Sequence, residues 1–570
     1  MLDLLIFSVD LYIRYILIFT FLFFIGRGFV IVTNKVFLNK NKLPQVLLET
    51  KSNILYPIIG CLILGNVLII LSFFVGLNNV IVVIFLGLFS LSNLFEINKI
   101  NLRKVFTVEK LFNYLIIPSI LLISSSDINF HYDAAYYHLN HQNWLRESNL
   151  IIGMVNIFWP FGMSSIFEYI SSILWFKDSL IYLHFLSLIF IHFFFSFLYY
   201  QLFLSENKNL KNGSVFILFF AFLDNFGIGG GRNGFIYIQE VGKQDTVVAI
   251  LFCFAGLITI NSIIKKYISE LDFIFLSLIS FFIFQVKVSG VFIFYSYFIL
   301  IYLLLKEKNY KIKSILYLQL PTIFFGIIWT VKSFLTTGCI IFPLSSTCLK
   351  SLPWYENGST ERIEEYTTNT SFAYMEYFKD PSRSFFDWFN DFFNSNNYAV
   401  FSNYYRSVYL NFAISLIIIY LIKKLLFENE SHKLNTNLII STYIIFGISY
   451  LIFYGPIPRY SIGILCTIVA LFGFYTNADK FKIPSIFIVS LFLVSLSLVP
   501  RVNSYINFLN NKSYSLFDPR IEAQHNEIEN LGSWVKPDTG DRCWINLNCT
   551  MEDKNILIND EDFFKVAYKE

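Results

Sequence analysis

The stretch "GCLILGNVLIILSFFVG", residues 60–76, carries no charge at any position and decides the fold class. A ~30 Å hydrocarbon layer asks a helix for about 20 such residues in a row. Runs of the same kind recur to the far end of the chain, as in "IPSIFIVSLFLVSLSLVP" (483–500). Of 570 residues, 55% are hydrophobic and 15% charged. A soluble domain carries about 25% charged residues. With a mean hydropathy of +0.58, the sequence reads as an all-α polytopic membrane protein.

Spans are expected near 10–32, 54–75, 79–97, 111–125, 180–203, 214–230, 245–263, 271–288, 289–305, 314–336, 407–423, 437–454, 459–476 and 483–499. That makes about fourteen transmembrane helices. The first is not a cleaved signal peptide by its pattern, because Asp10 and Arg14 interrupt it and no small-residue cleavage site follows. The net charge of +3 excludes little, but basic residues fall in alternate loops: Lys35, Lys40, Lys42 and Lys51; Arg103, Lys104 and Lys110; Lys265 and Lys266; Lys306 to Lys313; Lys423 and Lys424; Lys480 and Lys482. Lys and Arg accumulate in cytoplasmic loops. The opposite, outer face then receives residues 126–179, residues 337–406 and the tail 501–570, a small C-terminal extramembrane segment. The organisation expected is therefore N-terminal helices in 1–110, a core in 111–336 with the outer loop 126–179 and its short helices, an acidic and aromatic outer loop in 337–406, further helices in 407–500, and the tail. Cys339, Cys348, Cys543 and Cys549 lie outside, where disulfides persist. Six residues apart in "DRCWINLNCT" (541–550), Cys543 and Cys549 are read as a short loop closure, with two free thiols as the alternative.

The outer loop holds "SSDINFHYDAAYYHLNHQNWLRE" (125–147), which gathers Asp127, Asp133 and three of the seven histidines, His131, His138 and His141. A helix starting near Ala134 aligns Asp133, Tyr137, His141 and Trp144, and puts His138 and His141 on one side. Asp133 suits an N-cap as well as a catalytic acid, Asp127 a solvated span end, and the histidines interfacial hydrogen bonding. HxxH without a third ligand is a weak metal signal. Further ionisable residues sit at outer span ends: Arg232, Lys243 and Asp245 in "GGGRNGFIYIQEVGKQDTVVAIL" (229–251), Lys287 in "FQVKVSG" (284–290), Lys332 in "WTVKSFLTTG" (329–338), and Arg459 in "GPIPRYSIG" (455–463). Each cation alone reads as a snorkelling anchor. Five on the face that should be depleted of them point to a phosphate pocket, with Asp127, Asp133 and Asp245 beside it.

An outward loop that opens an amphipathic helix with an aspartate resembles the GT-C fold of membrane glycosyltransferases. Four stretches, "YDAAYYHLNHQNWLRE" (132–147), "TTGCIIFPLSSTCLKSLPW" (336–354), "PIPRYSIG" (456–463) and "GDRCWINLNCT" (540–550), resemble a group of uncharacterised bacterial multi-pass membrane proteins of that type, over about 110–550. The resemblance implies a polyprenyl-phosphate-linked sugar donor, a cell-envelope glycan or lipid acceptor and transfer at the outer face of a bacterial inner membrane. It maps Asp133 onto the aspartate that activates the acceptor or orients a metal. GT-C enzymes often pair two acids there, whereas Asp133 has no adjacent acid, so dependence on a divalent metal stays open. The expected roles are Asp133 and His138 in catalysis, Arg459, Lys332, Lys287 and Arg232 on the donor phosphate, and Asp127, His141, Asp245 and Lys243 in support. Membrane lipids are the expected surroundings and no nucleic acid is expected. Two alternatives stand: an O-antigen polymerase or ligase, resting more on outer arginines, and a lipid-linked saccharide transporter or flippase, which needs a polar site near the midplane.

Overall fold

The computed structural model describes residues 2–40, 43–78, 107–175, 180–225, 238–307, 310–355, 358–371, 386, 400–426, 428–429, 434–454, 457–474, 476–477, 484–510, 534–537, 541–551, 556–560 and 563–569. Among these, helices predominate and strands occur only as three two-stranded ribbons. In chain order the helices that matter here are α1 (Leu2–Leu38), α2 (Ser52–Ser72), α3 (Val108–Asp127), α4 (Leu139–Glu147), α5 (Ile166–Ser172), α6 (Ile181–Phe203) and α7 (Lys208–Asn225). Next come α8 (Asp245–Lys265), α9 (Glu270–Val286), α10 (Ile293–Glu307), α11 (Ile312–Leu318), α12 (Leu320–Thr337), α13 (Ser359–Ser371) and α14 (Val400–Leu426). The last are α15 (Leu434–Tyr454), α16 (Pro458–Phe474), α17 (Ser485–Leu498) and α18 (Val502–Asn510).

Eight helices among the described residues are long and apolar enough to cross a membrane, or nine if α17 and α18, bent by 69°, count as one. That is compatible with a multi-pass membrane protein. The expected span at 79–97 lies outside the described residues. Those expected near 271–288 and 459–476 are the helices α9 and α16, of 17 residues each.

Burial sorts the spans. The apolar windows of α8 and α6 are 94% and 89% buried, so these two form the centre, while those of α12 and α14, at 28% and 22%, lie at the rim. On α12 the exposed side chains Leu320, Ile323, Phe324, Ile327 and Val331 recur at helical spacing and make one apolar stripe. α1 lies against α2 where a Cβ on Gly26 would meet the Tyr56 carbonyl oxygen at 1.9 Å and one on Gly60 the Leu22 carbonyl oxygen at 2.0 Å. Small residues let helix backbones come this close without side chains between them. Polar groups on the same helices are paired: Arg14 with Asp10 at 2.9 Å, and Tyr15 with His192 of α6 at 2.9 Å. The two charges that interrupt the first span therefore satisfy each other.

The described C-terminal residues fold back over residues 135–161. Strands β1 (Ile556–Asn559) and β2 (Val566–Lys569) form an antiparallel hairpin. The Ala567 N–H donates to the Ile152 carbonyl at 2.8 Å, and Ile152 N–H to Lys565 at 2.9 Å. Trp534, Ile556 and Ala567 bury a second small core with Trp144, Ile157, Phe158 and Phe161. Trp144 is thus 8% exposed beneath the tail. Cys543 and Cys549 are joined by a disulfide, as are Cys339 and Cys348. The ring 543–549 grips α4 and the turn before it. Trp544 N–H donates to the Ala135 carbonyl at 2.9 Å, and the side chains of Asn140 and Asn143 donate to the carbonyls of Asn546 and Ile545. Opening so short a ring should cost about 2 kcal/mol. Replacing Cys543 and Cys549 by serine is expected to expose residues 534–569 to protease at a lower temperature than the rest of the chain.

Candidate functional site

Asp133 stands in helical geometry just before a π-turn, Ala134–His138, and its side chain makes no capping bond. The N-cap alternative is therefore set aside. The carboxylate turns outward from the helix and meets Lys243, whose Nζ donates to Oδ2 at 2.5 Å. His131 Nδ1 accepts the Asp133 backbone N–H at 3.1 Å and lies 3.5 Å from the carboxylate. Burial alone would raise the Asp133 carboxyl, but His131 and Lys243 outweigh it and hold the group well below the usual carboxylate range. Burial and the nearby Arg459 bring the Lys243 ammonium below its ordinary value.

Backbone contacts put Lys243 there. Phe130 and Val241 form a parallel bridge, with His131 N–H donating to Val241 and Val241 N–H to Asn129, each at 3.0 Å. Gly242 has φ +94°, and a Cβ on it would lie 2.8 Å from the Ala134 Cβ and 3.0 Å from its N and Cα. Gly242→Ala adds a left-handed backbone to a steric overlap. It is expected to lower stability by about 1–3 kcal/mol, read as a fall in unfolding temperature of the purified protein.

Asp245 opens α8 and is 2% exposed. It accepts a hydrogen bond from Lys287 and lies 4.0 Å from Arg459 Nε. Both cations also face the Tyr460 ring, with Lys287 Nζ at 4.7 Å and the Arg459 guanidinium at 5.2 Å from its centroid. Lys243 is within electrostatic reach of Arg459, Lys287 and Asp245, and Tyr137 of Asp133, Glu168 and Arg459. Burial pushes the Tyr137 phenol well up, so it stays a neutral donor. Residues from the segment between α3 and α4, the α7–α8 connection, the end of α9 and the start of α16 thus gather in one place.

A second group adjoins it. Glu168 of α5, 1% exposed, receives His138 Nδ1 on Oε1 at 2.6 Å and His141 Nδ1 on Oε2. Burial alone would raise this carboxyl; the charges and hydrogen bonds of His141 and His138 bring it down to about 2. Both rings are turned with Nδ1 toward Glu168, which fixes the orientation of each imidazole. Lys332, 1% exposed, is within reach of the same carboxylate. Its Nζ donates to Ser164 Oγ at 2.5 Å and lies 4.3 Å from the Trp329 ring centroid. A cavity of about 40 Å³ is lined by Lys287, Lys332, Ser164, Ser165, Gln285 and Phe342, and so touches both groups.

Of the residues singled out in the sequence, Asp133, Lys243, Asp245, Lys287 and Arg459 form the first group, and His138, His141 and Lys332 the second. Asp127 lines a separate cavity of about 20 Å³ with His184, Glu240 and Arg501. Arg232 lies outside the described residues. Glu168, Tyr460 and Ser164 were not foreseen. For Glu168 a signal existed, since it is the sole acid between Glu147 and Asp178 and lies in the apolar run "SSIFEYISS" (164–172). Among the described residues no three His, Cys, Asp or Glu side chains are placed to hold a metal ion. The two imidazoles direct Nδ1 to Glu168.

The chain belongs to the family described as a domain of unknown function, DUF8201, which it matches over residues 11–466. No curated protein and no solved structure matches it.

Proposed function

For this DUF8201 member we propose a glycosyltransferase that moves a sugar from a polyprenyl-phosphate-linked donor to a cell-envelope glycan or lipid acceptor, at the outer face of a bacterial inner membrane. The proposal includes a GT-C-like core and about fourteen spans. The observation that supports it most is the gathering of Asp133 and Asp245 with Lys243, Lys287 and Arg459 from four separate segments. Scattered snorkelling anchors have no reason to share carboxylates in this way.

In the proposed reaction the acceptor hydroxyl oxygen attacks the anomeric carbon. The bond from that carbon to the phosphate oxygen breaks with its electron pair on the phosphate, and Asp133 takes the hydroxyl proton. Proton transfer by a positioned side chain contributes about 10²–10⁴-fold. His138, oriented by Glu168, positions the acceptor side. Lys287, Lys332 and Arg459 offset the charge that develops on the departing phosphate, an effect worth about 10²–10³-fold per donor in comparable oxyanion sites. The planar fork of Arg459 suits two phosphate oxygens at once.

The test is reconstitution of the full chain in proteoliposomes with radiolabelled short-chain polyprenyl-phosphate sugars and a panel of envelope acceptors. Transfer of label is expected. Movement of the intact donor between leaflets, without transfer, would assign a flippase instead. A Tyr132→Cys variant should react with membrane-impermeant maleimide added outside intact cells; reaction only after lysis would end the proposal.

A further inference from the structure

A carboxylate held by an ammonium at 2.5 Å is a poor proton acceptor, and Asp133 is held so by Lys243. The pairing is built in. The bridge between Phe130 and Val241 and the close approach of Gly242 to Ala134 hold the backbone next to Lys243 against the backbone next to Asp133. Lys287 is the more exposed of the two lysines, at 28% against 13%, but Lys243 has the more solvent-exposed carboxylate. Its partner Asp133 keeps 29% of its side chain open to solvent, whereas Asp245, the partner of Lys287, keeps 2%. Lys243 is repelled by Arg459 and Lys287, which lie within electrostatic reach. An anion entering among these three cations gains all three as partners, and it competes with Asp133 for one of them.

We infer that Lys243 is an anion-released lock on Asp133: a phosphoryl group bound among Lys243, Lys287 and Arg459 draws the Lys243 ammonium off the carboxylate and so frees Asp133 to accept a proton. This deepens the proposed function, on which the base role of Asp133 rests. It implies an order of events in which the phosphate-bearing ligand binds before the acceptor is activated, and an idle site that does not deprotonate water.

The lock is tested by binding alone, on the full chain in detergent, with inorganic phosphate and with dodecyl phosphate as probes and calorimetry as the readout. If Asp133 competes for Lys243, Asp133→Asn removes the competitor and tightens binding by about tenfold, the scale of one charge-assisted hydrogen bond. In the Lys243→Met background the same substitution should change affinity less than about twofold, and in the Lys243→Arg background the tightening should return. Tightening by dodecyl phosphate alone supports the lock with a lipid phosphate as its key; tightening by both probes supports it with the phosphate group itself. Unchanged or weaker binding by Asp133→Asn overturns it. Equal tightening with and without Lys243 also overturns it, because removal of a negative charge then explains the effect. The lock with no sugar transfer by the unmodified protein would retain the inference and discard the enzyme assignment. Gel filtration of each variant reports folding independently.

Discussion

Asp133→Asn is expected to lower sugar transfer by at least about 100-fold while leaving the amount of protein in the membrane unchanged. Asparagine keeps the volume and the hydrogen-bonding reach of the aspartate but cannot accept the hydroxyl proton, and general-base contributions lie in the range of about 10²–10⁴-fold. The change also leaves Lys243 without its carboxylate. That ammonium keeps Arg459, Lys287 and Asp245 within electrostatic reach, and 13% of its side chain is open to water. Asp133→Glu is the companion variant: it restores the charge at a displaced position and should recover part of the rate. Transfer by Asp133→Asn at the unmodified rate would remove the residue from the chemistry, whatever its geometry.

Glu168→Gln should have the largest effect on stability. The carboxylate is 1% exposed and binds two imidazoles through its two oxygens. An amide offers one acceptor oxygen and one NH2 donor, so one histidine must change tautomer or give up its bond, and losing a hydrogen bond to a buried charged group costs about 1.5–3 kcal/mol. The sign of the pH dependence comes from the same carboxyl. It is brought down to about 2 in the folded chain, against about 4.3 for an unperturbed glutamate. Its depressed value stabilises the fold fully above pH about 4.3, and that contribution disappears as pH falls toward 2. The shift is worth about 3 kcal/mol. In Glu168→Gln the unfolding temperature should therefore be lower at pH 7 and fall less steeply between pH about 4.3 and 2 than in the unmodified chain, the remaining slope coming from Asp133. A variant as stable as the unmodified chain, with the same acid limb, would show that the two histidines are held by something else.

Membrane character was plain in the sequence because a run such as 60–76 has one physical use at that length. The convergence of Asp133, Asp245, Lys287 and Arg459 was only half legible. Each lies at a span end, where anchoring explains a cation equally well, and nothing local says that Lys287 and Arg459 would turn toward one carboxylate. Glu168 is hard to single out because the clustered histidines are conspicuous and the acid that holds them is isolated. The stripe drawn from Asp133 to Trp144 at ordinary helical spacing also failed in part. The π-turn at Ala134–His138 shifts the phase of the helix after it. Asp133 consequently meets the α7–α8 connection while His141 meets α5. Such a turn leaves no mark in a hydrophobic pattern. Neither did the folding back of the tail, which depends on contacts about 400 positions apart.

That separation has a consequence for biosynthesis. The ring 543–549 supplies the carbonyls that fasten Asn140 and Asn143, yet it leaves the ribosome long after the segment it fastens. Every intervening span must be threaded, and the sulfurs of Cys543 and Cys549 oxidised, before the floor of the histidine group is clasped. A nascent or reduced chain would hold the ingredients of the site without its final geometry, so maturation should trail insertion by the time oxidation takes.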